Sequence, residues 1–444
     1  MLTHISEARV SRRGFLSSAA AVGALSIVMG ATACSGHSTG AGTAAGQTTL
    51  WGLSGTDQDT VIAPSLKDWN EAHKDQQIQA TYTQNDAYKT KIRTAVGAGS
   101  APTLIYSWAG GTLNSYVKAG KVVDLTSQTA GVKDRYLESV WNQGVVDGKT
   151  YAVPMNAATP VVFYYNKDAL AKAGVDAPKT FEDVIAAVPK LKDAGIAPLA
   201  LAGGSKWPEL MWAEYLVDRV AGPEAFERVM AGQENAWSDP GIIKANTMIQ
   251  QLVDAGAFVD GFASVTADSN ADVALLYTGK AAMLLQGAWV LPTFAQQAPE
   301  FAKNGLGYGA FPAVAGGKGD PSNIVGNPSG YLSVSAAAGA EQQATAVSYL
   351  TTGVFDAAYV DRMIGNGQVP PVKDIESKIE ASGSEFGSLV YGMTKNAKSF
   401  QMSWDQALPP AQATALLTNL DQLFNKQITP QQFSDNMNKT IGQQ

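Results

Sequence analysis

Along most of this chain, apolar residues fall alternately into short continuous runs and into helical spacings. "TTLWGLSG", starting at Thr48, predicts a short strand broken by glycines. In "DTVIAPSLKDWNEAHK", Val61, Ile62, Leu66 and Trp69 recur at the spacing of one helix face. "QIQATYT" predicts a strand, "DAYKTKIRTAVGAG" a helix and "APTLIYSW" a strand again. Strands alternating with helices imply parallel α/β construction. Asp147-Gly148 between hydrophobic flanks in "VDGKTYAVP" signals a tight hairpin. "TPVVFYYNK" then predicts a buried strand, and "KTFEDVIAAVPKLKDAG" a helix capped by Thr180 and stopped by Gly195. The pattern is mostly helical over 207–256, "AAMLLQGAW" returns as a strand, and "AEQQATAVSYLTTG" and the C-terminal region predict helices. "GLGYGAFPAVAGGKGDP" reads as a Gly/Pro loop crossing between domains. Trp51, inside the first strand, and Trp69, Trp141 and Trp237 read as structural.

The N-terminal stretch breaks this alternation. In "SRRGFLSSAAAVGALSIVMGATACSG", Arg12 and Arg13 precede Phe15 and Leu16, and an apolar run over 19–30 leads into small residues. This is the anatomy of a secretory leader of the twin-arginine kind, and the run is short for a membrane span. Ala31-Thr32-Ala33-Cys34 resembles a lipoprotein processing box, with Ala31 standing where such boxes carry Leu, Val or Ile. Cys34 is the chain's only cysteine, so an internal disulfide does not explain it. Residues 35–49 are rich in Gly, Ser, Thr and Ala, as a flexible tether would be. The expectation is residues 1–33 as leader, Cys34 as a lipid anchor and 34–48 as tether, with cleavage after the A-x-A site and release of a soluble protein as the alternative.

Charge and chemistry narrow the function. The leader carries three basic residues and one acid, so its removal takes the net charge from -7 to -9. That balance argues against a nucleic-acid partner. The length suits about two or three ordinary domains. The histidines are His4, His37 and His73, which cannot assemble a histidine-rich metal site or a histidine-based triad. No G-x-S-x-G nucleophile elbow occurs. Gly148-Lys149-Thr150 mimics the end of a P-loop, but Gln143 stands where its first glycine belongs. Nothing calls for a cofactor or a metal. A glycosidase needs only two carboxylates, so a secreted carbohydrate-active hydrolase stays open, as does a surface sugar sensor or adhesin.

"DGKTYAVPMNAATPVVFYYNKDALAKAG", "APKTFEDV", "GKAAMLLQGAWVLP", "GYGAFPAVAGGKG" and "GQVPPV", in this order, resemble the extracellular solute-binding proteins of ABC sugar importers, the family that includes the maltodextrin-binding protein. The resemblance runs from about Leu50 to the C-terminus. It implies an α/β protein of two lobes with a hinge and an interlobe cleft: 49–155 with 312–365 as one lobe, 156–311 with 366–444 as the other, and crossings near 154–157, 308–312 and 366–370. It also implies a non-enzymatic monomer at the outer face of the cell membrane that takes an oligosaccharide and passes it to ABC permease transmembrane subunits. A neutral sugar offers apolar C–H faces and hydroxyl edges, which call for aromatic platforms and rigid polar groups. By motif placement the platforms are Trp108, Trp207, Trp212, Trp289 and Trp404, with Gln286 beside Trp289. Gly110, Gly111 and Thr112 follow Trp108 where the family often has charged residues, so its polar partners must come from elsewhere. The hydroxyl partners expected are Ser54, Asp57, Asn85, Asn156, Lys206 and Tyr331. Many tryptophans and a single basic candidate, Lys206, favour neutral oligosaccharides, such as xylo- or cello-oligosaccharides, over sugar acids.

Overall fold

The computed structural model describes residues 47–55 and 57–443. The expected leader, Cys34 and nearly all of the expected tether lie outside the described residues. Two sheets organise the chain. In the first, strands run in the order Ile78–Thr83, Thr48–Leu53, Leu104–Ser107, Tyr331–Val334, Val153–Pro154. The first three are parallel and the last two antiparallel to their neighbours. The second runs Phe400–Met402, Ile324–Asn327, Thr159–Asn166, Ala281–Gly287, Ala197–Ala200, with Leu306–Gly309 also pairing antiparallel to Thr159–Asn166. Thr159–Asn166 and Ala281–Gly287 are buried almost throughout, as expected of strands covered on both faces.

Local expectations are met where local chemistry decides. Val61, Ile62, Leu66 and Trp69 are all buried, on a helical stretch that ends as helix Ala63–Ala72. Val145–Val146 pairs with Lys149–Thr150 across Asp147 (φ 50°) and Gly148 (φ 77°), the left-handed pair that a two-residue hairpin needs. Thr180 accepts from the Asp183 N–H and Asp183 answers in a capping box that opens helix Phe181–Asp193. Trp141 and Trp237 are buried.

The division of the chain between the sheets differs from expectation in two places. The second crossing falls at 328–330, not near 308–312, because Ile324–Asn327 belongs to the second sheet. The cause lies in helix Trp207–Ala221, whose middle is buried all round. Its Tyr215 stacks on Phe311, centroids 4.5 Å apart. Its Arg219 pairs with Asp218 and donates to the carbonyls of Pro321 and Asn323, while Asn323 Nδ2 donates to Asp218. The segment after 308 is thereby held to the second half until after Asn327. The stretch expected to start the second lobe at 366 stays with the first half up to 373. There the Leu137 N–H donates to Pro371 O and the Lys373 N–H to Arg135 O. Phe386 then packs on Tyr164 and Tyr308 of the second half. The first passage between the sheets runs over 155–158, between Val153–Pro154 and Thr159–Asn166.

Candidate ligand-binding site

The three parallel strands of the first sheet end on the same side, and Thr48–Leu53 lies between the strands that follow it in sequence. The chain therefore leaves the central strand to one side and returns to the other, which opens a crevice at the strand ends where open α/β sheets hold ligands. Ser54, Asp57, Asn85, Tyr106 and Trp108 surround that crevice from the first half. Trp207, Gln286 and Trp289 face it from the second half, and Asn156 and Ser329 from the crossings. Together they enclose a cavity of about 270 Å³.

Each aromatic is placed by its neighbours. Trp108 packs edge-on against Tyr106, centroids 5.1 Å apart, with Lys89 Nζ 5.3 Å from its ring centre. The glycines that replace the expected charged residues have a steric role. A Cβ on Gly110 would lie 2.1 Å from Gln406 O, and one on Gly111 2.0 Å from Leu408 O, so the first-half helix beginning there meets a second-half segment backbone to backbone. Polar company for Trp108 comes instead from Lys89. Trp207 and Trp289 form one wall, 5.9 Å apart. Lys206, just before Trp207, has φ 63° and ψ -46°, a conformation that L residues seldom adopt and that aims the following helix.

Polar ties span the crevice beside the indoles. Trp207 Nε1 donates to Asp86 Oδ1 at 3.1 Å, the Asp86 N–H donates to Asp268 at 3.1 Å, and Lys89 Nζ pairs with Asp405 at 3.1 Å. Asp57, expected as a hydroxyl partner, makes no side-chain cap to the helix it precedes and accepts from Gln368 Nε2 at 2.6 Å. Burial pushes the Asp57 pKa up to about 6, and the Gln368 bond opposes the shift. Burial also raises Asp272, which accepts from Gln286 Nε2 at 2.8 Å. Ser54 and Asn327 line the cavity, and Ser54 Oγ and Asn327 Oδ1 are buried without a hydrogen-bond partner among the described residues.

Eight of the expected residues thus line one cavity: Ser54, Asp57, Asn85, Trp108, Asn156, Trp207, Gln286 and Trp289. Four do not, and the expectation is corrected for each. Trp404 is buried, stacked on Phe226 at 4.2 Å. Trp212 sits among Phe163, Phe258 and Phe311. Tyr331 is buried with its hydroxyl donating to Val140 O. Lys206 turns away to Asp421, 3.4 Å distant. Lys89, Asp268, Asp272, Asn327 and Asp405 line the cavity without having been expected. Of these only Asn327 had a signal, its place in the "NPSGY" turn that carries the second crossing.

Two α/β halves joined by crossings around a polar, tryptophan-walled cavity define a cleft-type binding protein. The chain belongs to the bacterial extracellular solute-binding protein family, whose match covers residues 54–352. It is a family of solute-binding proteins and not of enzymes, which sets the hydrolase alternative aside. A structure from work on xylan utilization by the thermophilic bacterium Caldanaerobius polysaccharolyticus is similar at 30% identity and TM-score 0.81, over 89% of this chain and 100% of that one. A chitin oligosaccharide binding protein is similar at 25% identity and TM-score 0.80, over 89% and 98%. A probable sugar-binding periplasmic protein of Mesorhizobium japonicum is 30% identical over 47% of this chain and 49% of its own length. The chain matches the first of its curated relatives over about half their length.

Proposed function

We propose that this protein captures a neutral oligosaccharide in the cavity between its halves and delivers it to the transmembrane subunits of an ABC importer. The observation that carries the reading is Trp108, Trp207 and Trp289 around one cavity with partnerless oxygens of Ser54 and Asn327 beside them. Indole faces match the C–H faces of a pyranose or furanose, and the oxygens match its hydroxyls. The relatives named for xylan utilization and for chitin oligosaccharides support a short β-linked oligosaccharide, of which xylo- and cello-oligosaccharides are the first to test. Closure on the sugar is a population shift, driven by tighter binding to the closed form than to the open one. In this reading the chain is exported by the twin-arginine route and acts as a monomer at the outer face of the cell membrane, held there by lipidated Cys34.

The test is melting and titration calorimetry of the leaderless protein against xylobiose, cellobiose, N,N′-diacetylchitobiose and their trimers, followed by chromatography of the recovered sugar. A ligand at 100 times its Kd should add about 2.7 kcal/mol of stability. Intact recovery with such a shift is the expected result. No shift with any of them would refute the sugar assignment.

A further inference from the structure

We infer that Gly110 and Gly111 form a closure seat: their missing side chains let a first-half helix settle on the backbone of residues 406–408, and this contact sets how far the halves close on a solute. The inference rests on the fold and the family, and not on the sugar reading.

Trp108 and Gln406 both line the cavity, so the contact lies at its flank, inside the crevice that closure narrows. A Cβ on Gly111 would lie 2.0 Å from Leu408 O and 2.9 Å from Pro409 N, and one on Gly110 2.1 Å from Gln406 O. Glycine permits so close an approach, with its Cα–H groups turned to the carbonyl oxygens. Neither side has room to yield. Buried Glu214, on helix Trp207–Ala221, accepts from the Trp404 N–H at 2.6 Å and from Ser403 Oγ at 2.9 Å. The Ser403 N–H donates to Gly326 O at 2.9 Å, and Trp404 is stacked on Phe226. Helix Gly110–Lys118 is itself fixed by buried Leu113 and Tyr116. A side chain at 111 is therefore relieved by keeping the halves apart and not by local repacking.

Gly111 separates this role from the ordinary effects of glycine. Gly110 has φ 60°, where any side chain strains the backbone, but Gly111 lies outside the left-handed region. An alanine there favours the helix and restricts the unfolded chain, so the melting temperature should stay level or rise. A glycine needed only for packing predicts a fall. Gly97 supplies the control, since it lies in helix Asn85–Ala98 with nothing within 4 Å of its missing Cβ.

Closure can be read without a ligand. The Asp86 N–H donates to Asp268 Oδ2 across the crevice at 3.1 Å, and Cys34 is the chain's only cysteine. Leaderless D86C/D268C protein carrying Cys34→Ser thus has one thiol pair, which a short bismaleimide joins when the halves close. Gly111→Ala should slow that joining at least fivefold without lowering the melting temperature, and Gly97→Ala should leave the rate within twofold. The N–H groups of 110–112, in the first turn of their helix, have no partner within it. With both glycines intact, they should become protected from hydrogen exchange once the pair is joined. G111A joined within twofold of its parent rate overturns the inference, as does a slower rate with a lowered melting temperature. Unchanged exchange at 110–112 on joining also overturns it, and decides the matter even if G111A does not fold. Because only the closed fraction binds tightly, G111A should take the best of xylobiose, cellobiose and N,N′-diacetylchitobiose at least tenfold more weakly. Binding within threefold of wild type counts against the seat. If none of these sugars binds the wild type, the sugar reading falls while the joining rates still decide this inference.

Discussion

Glu209 shows how much a single side chain can withhold from the sequence. It lies fully buried in the first turn of helix Trp207–Ala221, with both carboxyl oxygens lacking hydrogen-bond partners. Burial, reinforced by the charge of Asp421 and opposed by Lys206, pushes its pKa up to about 9. The folded state therefore keeps a proton that the unfolded chain releases near pH 4.5. The stability this group permits is full below that pH and is lost as pH rises toward 9, at about 1.4 kcal/mol per pH unit. Glu209→Met, which fills the space without an ionisable group, should be more stable than wild type at neutral pH, by a margin that widens at about that slope from pH 5 to 8. Urea unfolding of both proteins at four pH values would measure it, and a margin independent of pH would contradict the assignment. Tryptophans teach the same lesson. Motif placement points to Trp108, Trp207, Trp212, Trp289 and Trp404, yet only Trp108, Trp207 and Trp289 of these line the cavity. Whether an indole faces a cleft or a core depends on the residue lying against it. For Trp404 that residue is Phe226, 178 positions away, and nothing local announces it.

At the scale of elements, helix Asn85–Ala98 lies where "DAYKTKIRTAVGAG" predicts one, and Gly99 at φ 71° ends it. Its task was not, because that task is defined by partners far along the chain. Asp86 and Lys89, three residues apart and so on one face, reach Trp207, Asp268 and Asp405 of the second half. This one helix therefore ties the crevice shut along its edge. Lys89 and Asp405 are largely shielded, with side chains 24% and 6% exposed, so their pairing is worth more than that of a surface ion pair. Lys89→Met should shift the ligand-free protein toward a more open form, seen as a larger radius of gyration in solution scattering. It should also weaken the best sugar about five- to tenfold, the equivalent of about 1 kcal/mol. Part of that loss would come from leaving Asp405 without its cation, so the K89M/D405N double variant should recover some of it. Unchanged scattering and affinity in the single variant would show that the tie does not hold the halves together.

For the whole molecule, the order of strands and helices disclosed two α/β halves, but the places where the chain passes between them were only partly readable. Gly/Pro-rich stretches occur at 308–319 and at 328–330 alike, and only the second is a crossing, because Phe311 and the Arg219 network hold the first to one half. The crossings do more than connect. Ser329 Oγ donates to Asn156 O, Tyr359 Oη donates to Met155 O, and the Ala158 N–H donates to Val369 O, so the first two passages are bound to each other and to first-half residues 359 and 369 at one place. Buried Met155, Ala157, Tyr359 and Val369 carry the apolar core through that place without a break. Two halves linked by a flexible strap would melt separately, since each has a sheet and a core of its own. A core continuous through the hinge predicts one cooperative transition for residues 47–443, with calorimetric and van't Hoff enthalpies equal. A sugar held by both halves should then raise the whole transition and not split it. Two resolved transitions in the ligand-free scan, or a ligand that moves only one of them, would show that the hinge does not couple the halves. Binding would then have to be read as the property of a single lobe.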